Sequence, residues 1–145
     1  MKFKKFIALF LALTISLGIA VPSSAETDGE DMIAPCFTYI SSALATVGVV
    51  GQNSVEMSSI VHVYDEYTIV IDLHLQKATS SDSLSWGLHG SVHSHTVTDE
   101  YAHVYDTTDN VPGGYYYRTY AYVKIYDGTK LVESTRIYSK SVYVP

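Results

Sequence analysis

The tyrosines are the strongest candidates for binding residues in this chain, which has 13 of them among 145 residues. Aromatic and cationic side chains occupy alternate positions of segment 115–126, namely Tyr116, Arg118, Tyr120, Tyr122, Lys124 and Tyr126. Successive side chains of a strand point to opposite faces, so these six share a face if the residues between them face a core. Rigid amphipathic rings beside cations can stack on sugars or hold a peptide. The pattern predicts a binding surface at Tyr116, Arg118, Tyr120 and Tyr122.

The same tyrosines have an alternative role in stabilising a hairpin. A tyrosine beside Arg136, Tyr138 or Val132 on a neighbouring strand would contribute about 0.2–1 kcal/mol per pair. Which residues pair depends on the turn at Asp127-Gly128, the strongest hairpin signal in the chain. A turn longer by one residue would exchange the side chains that lie beside the tyrosines. The sequence leaves both the register and the choice between these roles open.

Three histidines, His89, His93 and His95, lie at odd positions of one short segment and are the candidate metal ligands. A His-x-His pair on one strand face with a third ring nitrogen nearby could bind Zn²⁺, and Asp99 or Glu100 could supply a fourth ligand. Solvated histidines on a polar sheet face would give the same pattern. Zinc binding is therefore the alternative function, and we otherwise expect no cofactor.

Catalysis has little support in the sequence. It contains no Gly-x-Ser-x-Gly elbow and no His-Glu-x-x-His motif, and Cys36 has no base at a recognisable spacing. We expect no catalytic residues and no enzyme activity.

The first 25 residues have the layout of an export signal. Three lysines precede an apolar run at 6–21, and small residues, Ser23 and Ala25, lie at the third-last and last positions. The apolar run is shorter than the ~20 residues that span a bilayer, so we expect a secreted or cell-envelope product that does not span the membrane. Residues 26–34 form an acidic stretch that we interpret as a flexible tether.

Removing this leader, which has three lysines and no carboxylate, changes the formal charge from −6 to −9. An acidic product repels phosphate backbones and anionic lipid, so we expect no nucleic-acid partner. Cys36 is the single cysteine, so no intrachain disulfide can form, and we expect its thiol to be buried.

Residues 35–145 alternate apolar and polar side chains between turn signals, which predicts strands and no helix. The clearest strand is 67–76, where every second residue is apolar. Other strands are predicted at 36–49, 55–64, 84–88, 93–97, 101–105, 115–126 and 130–144, with a turn at Asp65-Glu66 and a loop at 106–114. About seven strands over this length predict a single antiparallel β-sandwich of the immunoglobulin-like kind.

Three segments, 33–40, 113–118 and 134–143, resemble an uncharacterised family of small secreted proteins of Gram-positive bacteria. The similarity extends to the lone Trp86 and to the Gly-Tyr-x-Tyr-Arg strand before the final hairpin. This resemblance implies a β-sandwich and supplies no catalytic residue. Together with the residues above, it leads us to expect a binding or interaction module whose partner is an extracellular glycan, peptide or protein. Self-association and a purely structural role remain the other possibilities.

Overall fold

The computed structural model describes residues 36–145, which contain six strands. The strands are β1 (Ile40–Gly51), β2 (Ser54–Ala78), β3 (Gly87–Thr108), β4 (Tyr115–Asp127), β5 (Lys130–Tyr138) and β6 (Val142–Val144). Every pairing between them is antiparallel, and residues 36–145 contain no helix. The predicted all-β class is confirmed. The predictions of a signal peptide at 1–25 and a tether at 26–34 lie outside the described residues.

Strand β2 is the central strand of the fold, and its two halves pair with different neighbours. Its first part pairs with β1 on one side and with the end of β3 on the other. Its second part, from Tyr67, pairs with β4 and with the beginning of β3. The register of β2 and β3 shifts between His62 and Tyr67, where the two halves of the sheet meet.

The predicted turn at Asp65-Glu66 is therefore wrong. β2 continues through these residues, because pairing with β3 resumes after a register shift instead of ending. The predicted short strands 84–88, 93–97 and 101–105 likewise correspond to one strand, β3, which begins only at Gly87. The predicted strand 130–144 is in turn two strands, β5 and β6, so the structure has six strands where about seven are predicted.

Buried side chains from both halves of β2 form one hydrophobic core. Val55 and Met57 come from the first half and Ile69, Ile71 and Leu73 from the second, and all five are fully buried. The hydroxyl of Thr119 on β4 donates a 2.6 Å hydrogen bond to the carbonyl of Thr46 on β1, two strands that do not pair. The sheet therefore curls over itself, which confirms the predicted sandwich-like arrangement.

The β4–β5 hairpin turns where the sequence predicts it, at Gly128, whose φ is 58°. Asp127 pairs with Lys130, and the register then shifts between Ile125 and Tyr126. This shift leaves Val132 without a partner on β4, which is a β-bulge. The outward positions of β5 are consequently Arg136, opposite Tyr122, and Tyr138, opposite Tyr120.

The first described residues are tied to β5 by Glu133. Its carboxylate accepts hydrogen bonds from the backbone N–H groups of Thr38, Tyr39 and Ile40, each with an N···O distance of 2.9 Å. The strand predicted at 36–49 begins at Ile40 instead, because Thr38 and Tyr39 direct their N–H groups to a side chain and not to a neighbouring strand.

Candidate functional site

The candidate site is the outer surface of β4 and its neighbouring strands. Along β4, Tyr117, Thr119, Ala121, Val123 and Ile125 are fully buried. The residues between them are partly exposed, as the alternation predicts. We call this surface the tyrosine face and define it by Tyr116, Arg118, Tyr120, Tyr122, Lys124 and Tyr126, together with their neighbours His74, Trp86, Arg136 and Tyr138.

Three rings of the tyrosine face form a stack across three strands. His74 and Tyr120 have ring centroids 4.9 Å apart and an interplanar angle of 26°. Tyr120 and Tyr138 follow at 5.1 Å and 17°. These spacings match the distance of about 4.8 Å between neighbouring strands, so the rings stand on the sheet side by side. Each ring covers the face of the next, and the stack presents ring edges to the solvent.

Arg118 lies beside this stack and contacts two aromatic rings. The guanidinium carbon is 4.3 Å from the centre of the Trp86 ring and 4.6 Å from that of Tyr138. Its Nε donates a 2.8 Å hydrogen bond to Oε1 of Gln76. Among residues 36–145 no carboxylate forms an ion pair with Arg118. Burial lowers the pKa of Arg118 from its ordinary value, because the cation is partly removed from water.

Lys124 differs from Arg118 because its charge is paired. Its Nζ lies 2.7 Å from Oδ2 of Asp72, and the hydroxyl of Ser94 donates to the other carboxylate oxygen at 2.6 Å. Burial opposes ionisation of Asp72, but these hydrogen bonds outweigh it and lower the pKa of the carboxyl group. The hydrogen bond with Asp72 also raises the pKa of Lys124. This pair neutralises one end of the tyrosine face.

Three of the six positive charges of the described residues lie on the tyrosine face: Arg118, Lys124 and Arg136. The six are Lys77, Arg118, Lys124, Lys130, Arg136 and Lys140, which lie at the end of β2, on β4 and β5, or just after β5. The first half of β2, the second half of β3 and the loop that follows β3 carry seven carboxylates and no lysine or arginine: Glu56, Asp65, Glu66, Asp99, Glu100, Asp106 and Asp109. The chain is acidic overall, yet its tyrosine face is cationic.

The three candidate histidines share the inner side of β3 but do not assemble as a metal centre. His93 and His95 both contact Asp106, the first with 3.4 Å between Nδ1 and Oδ1. His89 instead packs its ring against the buried Tyr117, with centroids 5.8 Å apart. Within residues 36–145 no group of three or more histidine, cysteine or acidic side chains is arranged to hold a metal ion.

Two further expectations, one for this region and one for Cys36, are wrong. Asp99 and Glu100 do not accompany the histidines, because β3 bends beside them and brings Asp106 to that position instead. Asp99 accepts a hydrogen bond from the N–H of Glu100. Cys36 is exposed and not buried, because it precedes the first strand.

Sequence reasoning missed two groups that shape the tyrosine face, His74 and Trp86. The alternation of β2 predicts that His74 faces outward. It does not predict that the His74 ring stacks on Tyr120. Trp86 lies in the irregular segment before β3 and has no periodic pattern to place it. Its contact with Arg118 depends on how the end of β2 meets β4, which brings Gln76 opposite Arg118.

Comparisons with known proteins give weak similarities. No family model matches the sequence, and no curated protein matches it. A structure of Spo0M, a sporulation control protein from Bacillus subtilis, aligns with 72% of this chain at 12% identity and a TM-score of 0.37. The chain spans 50% of that structure's length. A protein from Archaeoglobus fulgidus aligns with 73% of this chain and 98% of its own length, at 17% identity and a TM-score of 0.34.

No helix within residues 36–145 is long and apolar enough to cross a membrane. The resemblance to a secreted Gram-positive family stays a prediction, as does the immunoglobulin-like topology.

Proposed function

We propose that this protein is exported and acts outside the cell as a non-catalytic binding module whose contact surface is the tyrosine face. The observation that supports this most is the ordered stack of His74, Tyr120 and Tyr138 beside an arginine that has no carboxylate partner among residues 36–145. Half of the Tyr138 surface remains exposed, so a partner can reach it. Aromatic and arginine side chains are the groups that contribute most to protein interfaces.

Export is the part of the proposal that depends on sequence alone. The basic, apolar and small-residue segments at 1–25 support it, and so does the resemblance to a family of secreted Gram-positive proteins. The acidic composition agrees with a partner other than nucleic acid.

The test compares capture by the wild-type protein and by a Tyr120→Ser, Tyr122→Ser variant. Each is applied to a glycan array and to a cell-wall pull-down. A Tyr105→Ser variant is the matched control. Tyr105 is a strand tyrosine with 64% exposure, and it lies near the C-terminal end of β3, outside the tyrosine face. We expect the double variant to lose capture and the control to keep it. Equal capture by all three proteins would refute the tyrosine face as the contact surface.

The same surface could join copies of the chain to one another. Mass measured over a range of protein concentrations separates the two cases, since assembly makes the mass depend on concentration and ligand binding leaves a monomer. We do not propose zinc binding, because the residues described in the structure do not assemble His89, His93 and His95 as a metal site.

A further inference from the structure

Arg118 is the most unusual group of the tyrosine face, because two aromatic rings and a glutamine contact it and its charge is not neutralised within residues 36–145. The guanidinium carries five N–H donors. Its hydrogen bond to Gln76 uses one of them, and this is the single hydrogen bond that its side chain makes within residues 36–145. The structure has no buried side-chain nitrogen or oxygen without a partner in that range, so the terminal nitrogens of Arg118 reach the solvent. These donors are available to a ligand.

The two rings around Arg118 prepare it to bind. The guanidinium packs against the rings of Trp86 and Tyr138 and donates a hydrogen bond to Gln76, so three neighbours restrict its orientation. A long side chain that is ordered before binding loses less conformational entropy when its ligand arrives. The planar fork of a guanidinium matches a carboxylate through two parallel hydrogen bonds. Arg118 therefore has the geometry of a carboxylate receptor.

The neighbouring rings disfavour a neutral sugar as the ligand at this position. Sugar rings pack on the flat faces of aromatic side chains, but Tyr120 lies between His74 and Tyr138. Tyr138 in turn contacts both the Tyr120 ring and the Arg118 guanidinium. What the stack exposes is the ring edge, which carries the positive part of the aromatic quadrupole and attracts electron-rich oxygen. The cations of this surface add to that preference for an anion.

A second cation, Arg136, lies farther along the same face. Arg136 is beside Tyr122, its guanidinium carbon 5.6 Å from the ring centre, and it forms no ion pair within residues 36–145. Tyr122 is four residues along β4 from Arg118, which corresponds to about 13 Å at the rise of a strand. An extended peptide places its side chains i and i+4 on one face at the same distance of about 13 Å.

We propose that Arg118 is the receptor for a side-chain carboxylate of an extended acidic polypeptide, which lies along β4 and reaches Arg136 with a second carboxylate four residues away. This proposal rests on the proposed function of the tyrosine face and names its partner. The peptide crosses the edge of the ring stack between its two acidic residues.

The experiment measures fluorescence anisotropy of labelled peptides titrated with the protein. The acidic peptide is Ser-Glu-Ser-Thr-Ser-Glu-Ser, and its control has glutamine in place of both glutamates. Arg118→Gln and Arg118→Lys are the test variants, and Lys130→Gln, at the β4–β5 turn, is the matched loss of one charge. Circular dichroism and the thermal midpoint of each variant show that it is folded.

We expect the wild-type protein to bind the acidic peptide about tenfold more tightly than its glutamine control. Both Arg118 variants should lose about tenfold, because lysine retains the charge but not the planar fork. Lys130→Gln should bind as the wild type does. Added salt should weaken binding, since Arg136 is exposed.

Equal binding of the two peptides, or unchanged binding by folded Arg118→Gln, would overturn the inference. So would a wild-type protein that binds no acidic peptide at millimolar concentration. If Tyr120→Ser, Tyr122→Ser still abolishes glycan or cell-wall capture in any of these cases, the proposed function stands with a different ligand. If neither peptide nor cell-wall capture depends on the tyrosine face, both proposals fail.

Discussion

Replacing Glu133 by glutamine should lower the stability of the domain more than any other single loss of charge described here. Glu133 is the one side chain that accepts three backbone N–H groups from the beginning of the described chain. Oε2 accepts from Tyr39 and Ile40, and Oε1 accepts from Thr38. A glutamine has one acceptor oxygen, so at least one of these N–H groups loses its partner, and the others lose a charged acceptor.

The size of the effect follows from these bonds. A hydrogen bond to a charged group contributes about 1.5–3 kcal/mol, and the Thr38 bond is exposed and contributes less. The bonds from Tyr39 and Ile40 are partly buried, and Ile40 is a fully buried core residue. We therefore expect a loss of about 2–3 kcal/mol. For a domain of this size that corresponds to a decrease in Tm of about 8–12 °C.

The assay is thermal and urea unfolding of the wild type, Glu133→Gln and a matched control, Glu66→Gln. Glu66 is an exposed carboxylate at the bend of β2, and its replacement should change stability by less than about 0.5 kcal/mol. Glu133→Gln should also increase hydrogen exchange at the amides of Tyr39 and Ile40. A Tm for Glu133→Gln equal to that of the control would show that water replaces the carboxylate at no cost, and would refute the reasoning.

Two further predictions concern one buried and one partly buried polar group. Tyr117→Phe removes a 2.7 Å hydrogen bond to the carbonyl of Pro112 and should cost about 1 kcal/mol in urea unfolding. Burial raises the pKa of Tyr117 in the folded protein above the ordinary 10.0, so the variant should lose less stability than the wild type as the pH rises through that range. Asp72→Asn should also cost about 1 kcal/mol at neutral pH. Because the folded pKa of Asp72 is lowered, its contribution is present above the unfolded pKa and lost as the pH falls through the folded one. A wild-type advantage that persists in strong acid would contradict this assignment.

The alternation of side chains was enough to predict which residues of β4 face the core. The buried positions from Tyr117 to Ile125 follow it without exception, and so does the clearest predicted strand from Ile69 to Gln76. This works because a half-buried strand has a strict two-residue period, and a shift of one residue would expose the whole core set. The all-β class followed from the same periodicity repeated along the chain.

The bend of β2 and β3 could not be predicted in the same way. Asp65 and Glu66 are turn-forming residues, and a hairpin and a bent strand differ only in whether pairing continues on the far side. Pairing does continue, because β2 has partners on β3 from Tyr67 to Lys77 and on β4 from Thr68 to Ala78. The contact between His95 and Asp106 follows from this bend, since both lie on β3 but on opposite sides of it. Spacing along the sequence carries no sign of such a contact.

The β-bulge at Val132 determines which side chains of β5 lie on the tyrosine face. If the two-residue turn that pairs Asp127 with Lys130 continued without a bulge, Glu133 would pair with Lys124, Thr135 with Tyr122, and Ile137 with Tyr120. Arg136 and Tyr138 would then face the core, the ring stack would lose one member, and Arg118 would lose one of the two rings that hold it. Glu133 would place a carboxylate on the outer face. With the bulge, Lys124 pairs with Ser134 and Glu133 faces inward to the N–H groups of Thr38, Tyr39 and Ile40. One extra residue in β5 thus anchors the start of the domain and keeps the outer surface of β5 free of acidic side chains.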